Sequence, residues 1–342
     1  MQGVISYDAP ANVSLVKNFG SYRNKTSGNP SFSMTLNKSR SQTTVHYNYD
    51  ASNKTEFSIT INGAESDYLR QRIGVWLKRV SPIFPWISNT KFEISVIIDQ
   101  DLVPFVGIYT VMTSMSSCLA GIAHRLGKSD YKTQFQTISS IALLDSENAA
   151  RSVYGGFVGF GKSPSIAWSS DKYATQYQRD AIIYNKLNDS ILVFESPEAE
   201  FKKPNPDDLL NHPYLEARVK HAQLNINKFL RALDEGIWDL FEKIIENEAL
   251  TLLALLLSSE NSSFFPNRKI IDWAHYLREE RDKSSSPITF TFDRELRLHI
   301  LYPPIAEKTV MKMVENSPLQ VSNILHDSIG GGVQLLSDEL VK

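Results

Sequence analysis

The sequence contains a single cysteine, Cys118, and has no surplus of either charge. One thiol excludes an internal disulfide framework. The formal net charge at pH 7 is −2, which argues against the broad basic surface of a nucleic-acid-binding protein. We therefore expect no nucleic-acid partner, and any anion-binding site must be local.

Long apolar runs are also absent. The longest, Leu252 to Leu257, is far shorter than the roughly 18 residues that a membrane-spanning helix needs. Residues Met1 to Asp8 lack the basic region and apolar core that begin a secretory signal. We expect a cytoplasmic protein without a membrane partner.

A chain of 342 residues exceeds one typical hydrophobic core and predicts two domains. The polar, proline-bearing stretch from Ser196 to Pro206 is the best boundary. We place an N-terminal α+β domain at 1–195 and a C-terminal α+β domain at 196–342.

Hydrophobic periodicity predicts strands early, helices later and strands again near the end. Alternating patterns predict strands at 43–47, 57–61 and 92–98, with late strands at 288–292 and 297–301. Helical spacing predicts helices at 69–80, 110–126 and 131–144, and an apolar stripe from Phe229 to Ile244 that we interpret as core packing. The fold class is α+β.

Three segments carry residues suited to binding a phosphorylated acid. Ala149 to Val158 places Arg151 before a paired-glycine turn, where such a ligand could approach the backbone. The other segments are Ala9 to Lys17, which reads Ala-Pro-Ala-Asn-Val-Ser-Leu-Val-Lys, and Thr291-Phe292-Asp293. A guanidinium suits a carboxylate because its planar fork donates two parallel hydrogen bonds.

These segments resemble, in order, the arginine segment, the N-terminal strand and the aspartate loop of the mevalonate diphosphate decarboxylases. The resemblance extends over nearly the whole chain. It implies the two-domain fold of the galactokinase, homoserine kinase, mevalonate kinase and phosphomevalonate kinase (GHMP) superfamily, with the substrate cleft between the domains. It also implies a homodimer or higher homo-oligomer.

The nucleotide loop of that family departs here from its pattern. Where the family has a glycine- and serine-rich loop that wraps phosphates, this chain has Pro104 to Ser117, with one glycine, Gly107, and an aromatic residue, Tyr109. Bulky side chains close a phosphate cradle that needs bare amides. We expect no ATP or Mg²⁺ requirement, although a distorted loop that still binds ATP stays an alternative.

Decarboxylases of this family phosphorylate the tertiary hydroxyl of their substrate and then eliminate phosphate and carbon dioxide. If the nucleotide loop is lost, the substrate must arrive phosphorylated. The sequence therefore resembles the ATP-independent bisphosphomevalonate decarboxylases of archaea, which convert mevalonate 3,5-bisphosphate to isopentenyl phosphate, carbon dioxide and phosphate. The alternatives are an ATP-dependent decarboxylase or mevalonate-class kinase with a divergent loop, and a non-catalytic protein that binds phosphorylated metabolites.

The resemblance assigns roles to three catalytic candidates. Arg151 would hold the substrate carboxylate, Lys17 would face a phosphate, and Asp293 would stabilise positive charge at the tertiary carbon as phosphate departs. The opposing interpretations are an internal ion pair for Arg151 and a turn-capping aspartate for Asp293. The family's Gly-Pro after the aspartate is replaced by Glu295 and Leu296, which leaves the shape of this loop open.

Further substrate-binding candidates follow from the same resemblance: Asn12, Arg72, Ser146, Asn148 and His212. Arg72 could equally be a surface arginine, and His212 a structural histidine. The seven histidines show no paired metal-binding spacing, so we expect no metal site. The run Gly330 to Gly332 is interpreted as a flexible turn and not as a phosphate cradle.

Overall fold

Two β-sheets organise the described part of the protein. The computed structural model describes residues 1–18, 28–128, 135–177, 184, 186–194, 212–259, 268–293 and 295–341. The predicted domain boundary at 195–196 and the stretch 196–206 lie outside these residues, so the boundary stays a prediction.

The strands are β1 Gln2–Val16, β2 Ser31–Tyr49, β3 Glu56–Ile61, β4 Ala64–Glu65, β5 Thr90–Ile97, β6 Phe157–Phe160, β7 Thr175–Gln176, β8 Asn188–Val193, β9 Thr289–Phe292, β10 Leu298–Tyr302, β11 Asn323–Ser328 and β12 Gln334–Val341. The helices are α1 Asp67–Val80, α2 Tyr109–Arg125, α3 Phe135–Leu143, α4 Glu147–Arg151, α5 Leu215–Glu235, α6 Trp238–Ser258, α7 Arg268–Ser284 and α8 Glu307–Asn316. Short 3-10 helices lie at Pro85–Asn89, Gln100–Phe105 and Pro304–Ala306.

The larger sheet has the strand order β12-β1-β2-β5-β3-β4, and β6 extends it by pairing with β2 and β7. Strands β3 and β5 are parallel, with α1 as the crossover between them. Helix α1 buries Ile73, Trp76, Leu77 and Val80, the residues whose spacing predicts it. The predicted strands and helices of this half are confirmed, with ends shifted by a few residues; positions 131–134 lie outside the described residues.

The smaller sheet has the order β11-β8-β10-β9. Strand β8 therefore joins this sheet although it precedes residue 195, and β12 returns to pair with β1 in the larger sheet. The late strands are confirmed as the β9–β10 hairpin. The chain thus forms the predicted α+β architecture. It passes from the larger sheet to the smaller one at β8 and returns to the larger sheet at β12.

The predicted stripe from Phe229 to Ile244 lies on two helices. Gly236 ends α5 in the left-handed conformation with φ 69°, and α6 begins two residues later. Phe229, Phe241 and Ile245 pack in one core with residues of both sheets, including Phe32 and Leu301. The predicted role of the Phe229 to Ile244 stripe in core packing is confirmed. This shared core joins the two sheets.

A second connection between the sheets comes from the buried carboxylate of Asp327. It accepts the backbone N–H groups of Asn37, Lys38 and Ser39 at 3.0, 2.7 and 2.9 Å. Three amides on one carboxylate satisfy the charge without a cation. No helix in the described ranges is long and apolar enough to cross a membrane.

Candidate active site

Strand β1 carries Asn12 on an irregular stretch of the sheet, and Lys17 directly follows the strand. The register with β2 shifts between Pro10 and Asn12 and again between Ser14 and Val16. Such bulges redirect side chains and are common beside functional sites. The Nδ2 group of Asn12 donates to the backbone oxygen of Asn148 at 3.0 Å and to Ser152 Oγ at 2.8 Å. Asn12 therefore tethers helix α4, and its direct contact with a substrate stays a prediction.

Helix α4 brings Ser146, Asn148 and Arg151 to the same place. Ser146 caps the helix by accepting the Ala149 N–H at 3.3 Å. Arg151, the last residue of the helix, is 3% exposed and donates to Asn148 Oδ1 and, at 2.7 Å, to Ser31 Oγ. Its Nε is buried and has no hydrogen-bond partner among the described residues. A buried guanidinium with an unsatisfied N–H group can donate a hydrogen bond to a bound anion.

Lys17 is 2% exposed, and its ammonium donates to the backbone oxygens of Ser14 and Phe292, the latter at 2.5 Å. Burial lowers the pKa of Lys17 to about 7, against the raising effect of Asp293 and Glu248. Glu248 of α6 also accepts the Lys17 N–H at 2.9 Å. Lys17 therefore lies where the larger sheet meets the β9–β10 hairpin.

Asp293 occupies the hairpin that links β9 to β10 and organises its turn. Its Oδ1 accepts the backbone N–H groups of Glu295 and Arg297 at 3.0 and 2.8 Å, and Leu296 adopts a left-handed φ of 60°. The side chain of Arg297 bonds Oδ2 of Asp293 and also donates to the backbone oxygen of Pro104. The carboxylate, together with Arg297, thus holds the turn from which the family's Gly-Pro is missing.

A buried histidine lies behind Asp293. His299 Nε2 is 3.6 Å from Asp293 Oδ2, an ion-pair distance, and His299 Nδ1 is 2.7 Å from Asp189 Oδ2 on β8. Burial alone would lower the pKa of His299, but Asp189 and Asp293 raise it to about 9. Burial alone would raise the pKa of Asp293, yet Arg297 and His299 hold it well below its usual range. Asp293 is therefore an ionised carboxylate and a weak base.

Two amides of the segment at the nucleotide-loop position are already engaged. At the start of α2, Thr110 N–H donates to Gly107 O at 2.9 Å and Val111 N–H donates to Ile108 O at 3.1 Å. These are the first-turn amides that would otherwise be open to an anion. The Tyr109 hydroxyl exchanges hydrogen bonds with the backbone of Asn12, at 3.0 and 3.2 Å, and a Cβ at Gly107 would collide with the Tyr109 ring. These residues do not fit a phosphate-wrapping loop.

Two of the predicted residues lie apart from this cluster. Arg72 forms a bidentate ion pair with Asp145, both bonds 2.7 Å, immediately before the α4 cap. His212 Nε2 contacts Ser258 Oγ at 2.9 Å near the end of α6, and its Nδ1 accepts the Tyr214 N–H at 3.1 Å. These contacts are structural, and the roles of both residues in substrate binding stay predictions.

The paired glycines after Arg151 approach another part of the backbone. Gly156, at φ 72°, donates its N–H to Gly330 O at 2.9 Å, and a Cβ on Gly155 would collide with Gly331 and Gly332. The 330–332 segment fills the space beside Gly155, whereas the Cβ position of Gly156 is open, so the approach of a ligand to this turn stays a prediction. Gly330 to Gly332 packs closely against two other segments of the chain, 36–37 and 153–155, and is not a flexible turn.

The sequence of the N-terminal half matches a known family model. Residues 9–174 match the model described as the diphosphomevalonate decarboxylase-like N-terminal domain. This part of the chain is therefore similar to the N-terminal domain of that family. No curated protein sequence matches the chain significantly.

Solved structures extend the likeness in fold to nearly the whole chain. Mevalonate diphosphate decarboxylase from Staphylococcus aureus is 18% identical with a TM-score of 0.81, over 98% of this chain and 99% of that one. The enzyme from Trypanosoma brucei is 19% identical with a TM-score of 0.78, over 98% of both chains. A structure of the Enterococcus faecalis enzyme, concerned with its ATP binding, is 18% identical with a TM-score of 0.78, over 98% and 99%. The predicted GHMP-kinase-like α+β fold is confirmed.

The matched residues 9–174 supply only part of the site, and the sequence did not point to several of the other contributing residues. Asp189 lies on β8, Glu248 on α6, Arg297 in the turn before β10 and His299 on β10, all outside the matched residues. One signal could have found two of them. In a hairpin that begins after Asp293, residues 297 and 299 point to the same face of the returning strand.

Proposed function

We propose that this protein decarboxylates a mevalonate that already carries phosphate on its tertiary hydroxyl, without ATP. The substrate would be mevalonate 3,5-bisphosphate, and the products isopentenyl phosphate, carbon dioxide and phosphate. The observation that carries the proposal is the start of α2, where Thr110 and Val111 give their amides to the chain's own carbonyls. A chain in which these amides are engaged, and which keeps Lys17, Arg151 and Asp293 together, suits the elimination half of the reaction better than the ATP-dependent half.

The elimination needs no external reactant. The C3–O bond breaks and its electron pair leaves with phosphate, while the electron pair of the bond to the carboxylate forms the new alkene and carbon dioxide is released. Positive charge grows at C3 and negative charge grows on the departing phosphate. Groups placed beside these two atoms stabilise the transition state more than the bound substrate.

Asp293 suits the first of these tasks. Burial raises the pKa of Asp293, but Arg297 and His299 outweigh this effect and hold the pKa well below its usual range, so the carboxylate is ionised at neutral pH. A carboxylate of such low basicity is poorly suited to remove a hydroxyl proton. It can still oppose positive charge at C3 in a site of low effective dielectric. Its ionisation therefore supports a role in elimination above one in phosphorylation.

Arg151 and Lys17 suit the two anionic ends. The unsatisfied Nε of Arg151 can donate to the substrate carboxylate while its other nitrogens keep Ser31 and Asn148. Because carboxylate charge disappears in the transition state, this contact serves placement more than acceleration. Lys17, between the larger sheet and Asp293, would face the departing phosphate, whose negative charge favours the protonated ammonium.

The decisive experiment is a nucleotide-free turnover assay. The purified protein is incubated with mevalonate 3,5-bisphosphate and a chelator, and phosphorus NMR follows phosphate and isopentenyl phosphate. Product formation without nucleotide is expected. Turnover of mevalonate 5-phosphate or 5-diphosphate only when ATP and Mg²⁺ are supplied would instead identify an ATP-dependent decarboxylase. Tight binding of these compounds without any turnover would identify a binding protein.

A further inference from the structure

Asp189, His299 and Asp293 form a buried line of charges. Of the three, only Asp293 has a role of its own in the proposed function. Asp189 is fully buried on β8, and His299 is 2% exposed on the neighbouring strand β10. The imidazole joins the two carboxylates, with Nδ1 2.7 Å from Asp189 and Nε2 3.6 Å from Asp293. Among the described residues, one oxygen of Asp189 and the Nε2 of His299 have no partner within hydrogen-bond distance. Two buried carboxylates on one imidazole favour its doubly protonated form.

The other charges facing this line come from three places in the fold. Arg297 of the hairpin bonds Asp293, and Lys17, directly after β1, bonds the backbone oxygen of Phe292, beside Asp293. The charge of Asp327 on β11 raises the pKa of Asp189. The carboxylate oxygens of Asp327 accept hydrogen bonds from backbone amides of β2. Arg297 lies on the outer side of Asp293, where it also contacts Pro104, so His299 is the cation on the inner side.

We propose that His299, oriented by Asp189, is a positioning residue that holds Asp293 in place and keeps it ionised during the elimination. The assignment rests on the proposed function, because it takes Asp293 as the group that faces C3. Asp189 accepts the Nδ1 proton and thereby turns the Nε2–H toward Asp293. The positive charge at Nε2 disfavours protonation of Asp293, so the carboxylate cannot become a neutral acid beside a developing cation.

Nuclear magnetic resonance on the unmodified protein gives a test that does not depend on activity. The ¹⁵N shifts of His299 report its protonation, and the ¹³C shift of the Asp293 carboxyl reports its pKa. We expect a doubly protonated His299 at pH 7.5. A neutral His299 at that pH would overturn the proposal without any variant.

Two variants then test the consequence for catalysis. His299→Gln should raise the pKa of Asp293 by about 1 to 3 units, the usual effect of losing an opposite charge at this range, and should abolish the alkaline limb that deprotonation of His299 gives the kcat profile. Asp189→Asn keeps the imidazole but removes its counter-charge, so the alkaline limb should move to lower pH. The matched control is His326→Gln. His326 lies in the same sheet, and its Nδ1 is 2.8 Å from Ser190 Oγ; it makes no contact with Asp293 among the described residues. It should keep the unmodified profile.

The outcomes separate this proposal from the proposed function. A folded His299→Gln variant with an unchanged pH profile and an unchanged Asp293 pKa would overturn the positioning role. If the unmodified protein turns over no substrate, the proposed function fails. The shift in the Asp293 pKa between the two proteins still decides whether His299 governs that carboxylate. Asp189→Asn decides the question by the same NMR reading if His299→Gln does not fold.

Discussion

Lys17 and His299 should make opposite contributions to the pH dependence of stability. The folded-state pKa of Lys17 is about 7, below its ordinary value of 10.5. Between these values the unfolded chain holds a proton that the folded protein has released, so the free energy of unfolding rises with pH. The folded-state pKa of His299 is about 9, above its ordinary 6.5. Its contribution is fully present below pH 6.5 and is lost as pH rises through 9.

The two effects overlap between about pH 7 and pH 9, and each has a limiting slope of about 1.4 kcal/mol per pH unit. In the unmodified protein they largely cancel over this range. Lys17→Met leaves the histidine effect, so the free energy of unfolding should fall by about 2 kcal/mol from pH 7 to pH 9. His299→Gln leaves the lysine effect and should give a rise of similar size.

The assay is urea denaturation followed by circular dichroism at pH 7, 8 and 9, with equal denaturant slopes as the condition for comparison. Lys78→Met, which removes an exposed lysine from α1, is the control and should follow the unmodified protein. If both site variants also followed it, the inferred pKa shifts of the buried lysine and histidine would not exist.

Three substitutions test the site itself. Arg151→Lys should raise KM roughly 10- to 100-fold because the planar fork is lost, whereas Arg79→Lys on the surface should not; equal KM values from steady-state kinetics would contradict the carboxylate contact. Asp293→Asn should lower kcat at least about 100-fold, the loss typical of removing one electrostatic stabiliser, and near-normal single-turnover rates would exclude that role. Arg72→Gln should cost about 1 kcal/mol of unfolding free energy through Asp145 and change KM less than Arg151→Lys does; a change as large would make Arg72 a direct substrate ligand.

The sequence was sufficient wherever local periodicity and residue type decide the outcome. The spacing of Ile73, Trp76 and Val80 determines a helix, because only a 3.6-residue period buries all three on one face. The alternation in 43–47 and 92–98 determines strands for the same kind of reason. Composition around Tyr109 predicts a closed phosphate loop, since an aromatic side chain is poorly accommodated where amides must stay bare, and the loss of nucleotide binding stays a prediction.

Only the tertiary structure decided which groups meet. The glycines at 155–156 and 330–332 look like two unrelated turns in the sequence, yet Gly155 and Gly332 pack directly against each other. Asp189 and His299 are far apart along the chain and become partners because β8 pairs with β10. The charge of a buried side chain depends on such neighbours and on the removal of water, and neither is encoded in local sequence. For that reason the sequence named Asp293, while the fold determined that it is an ionised carboxylate held by Arg297 and His299.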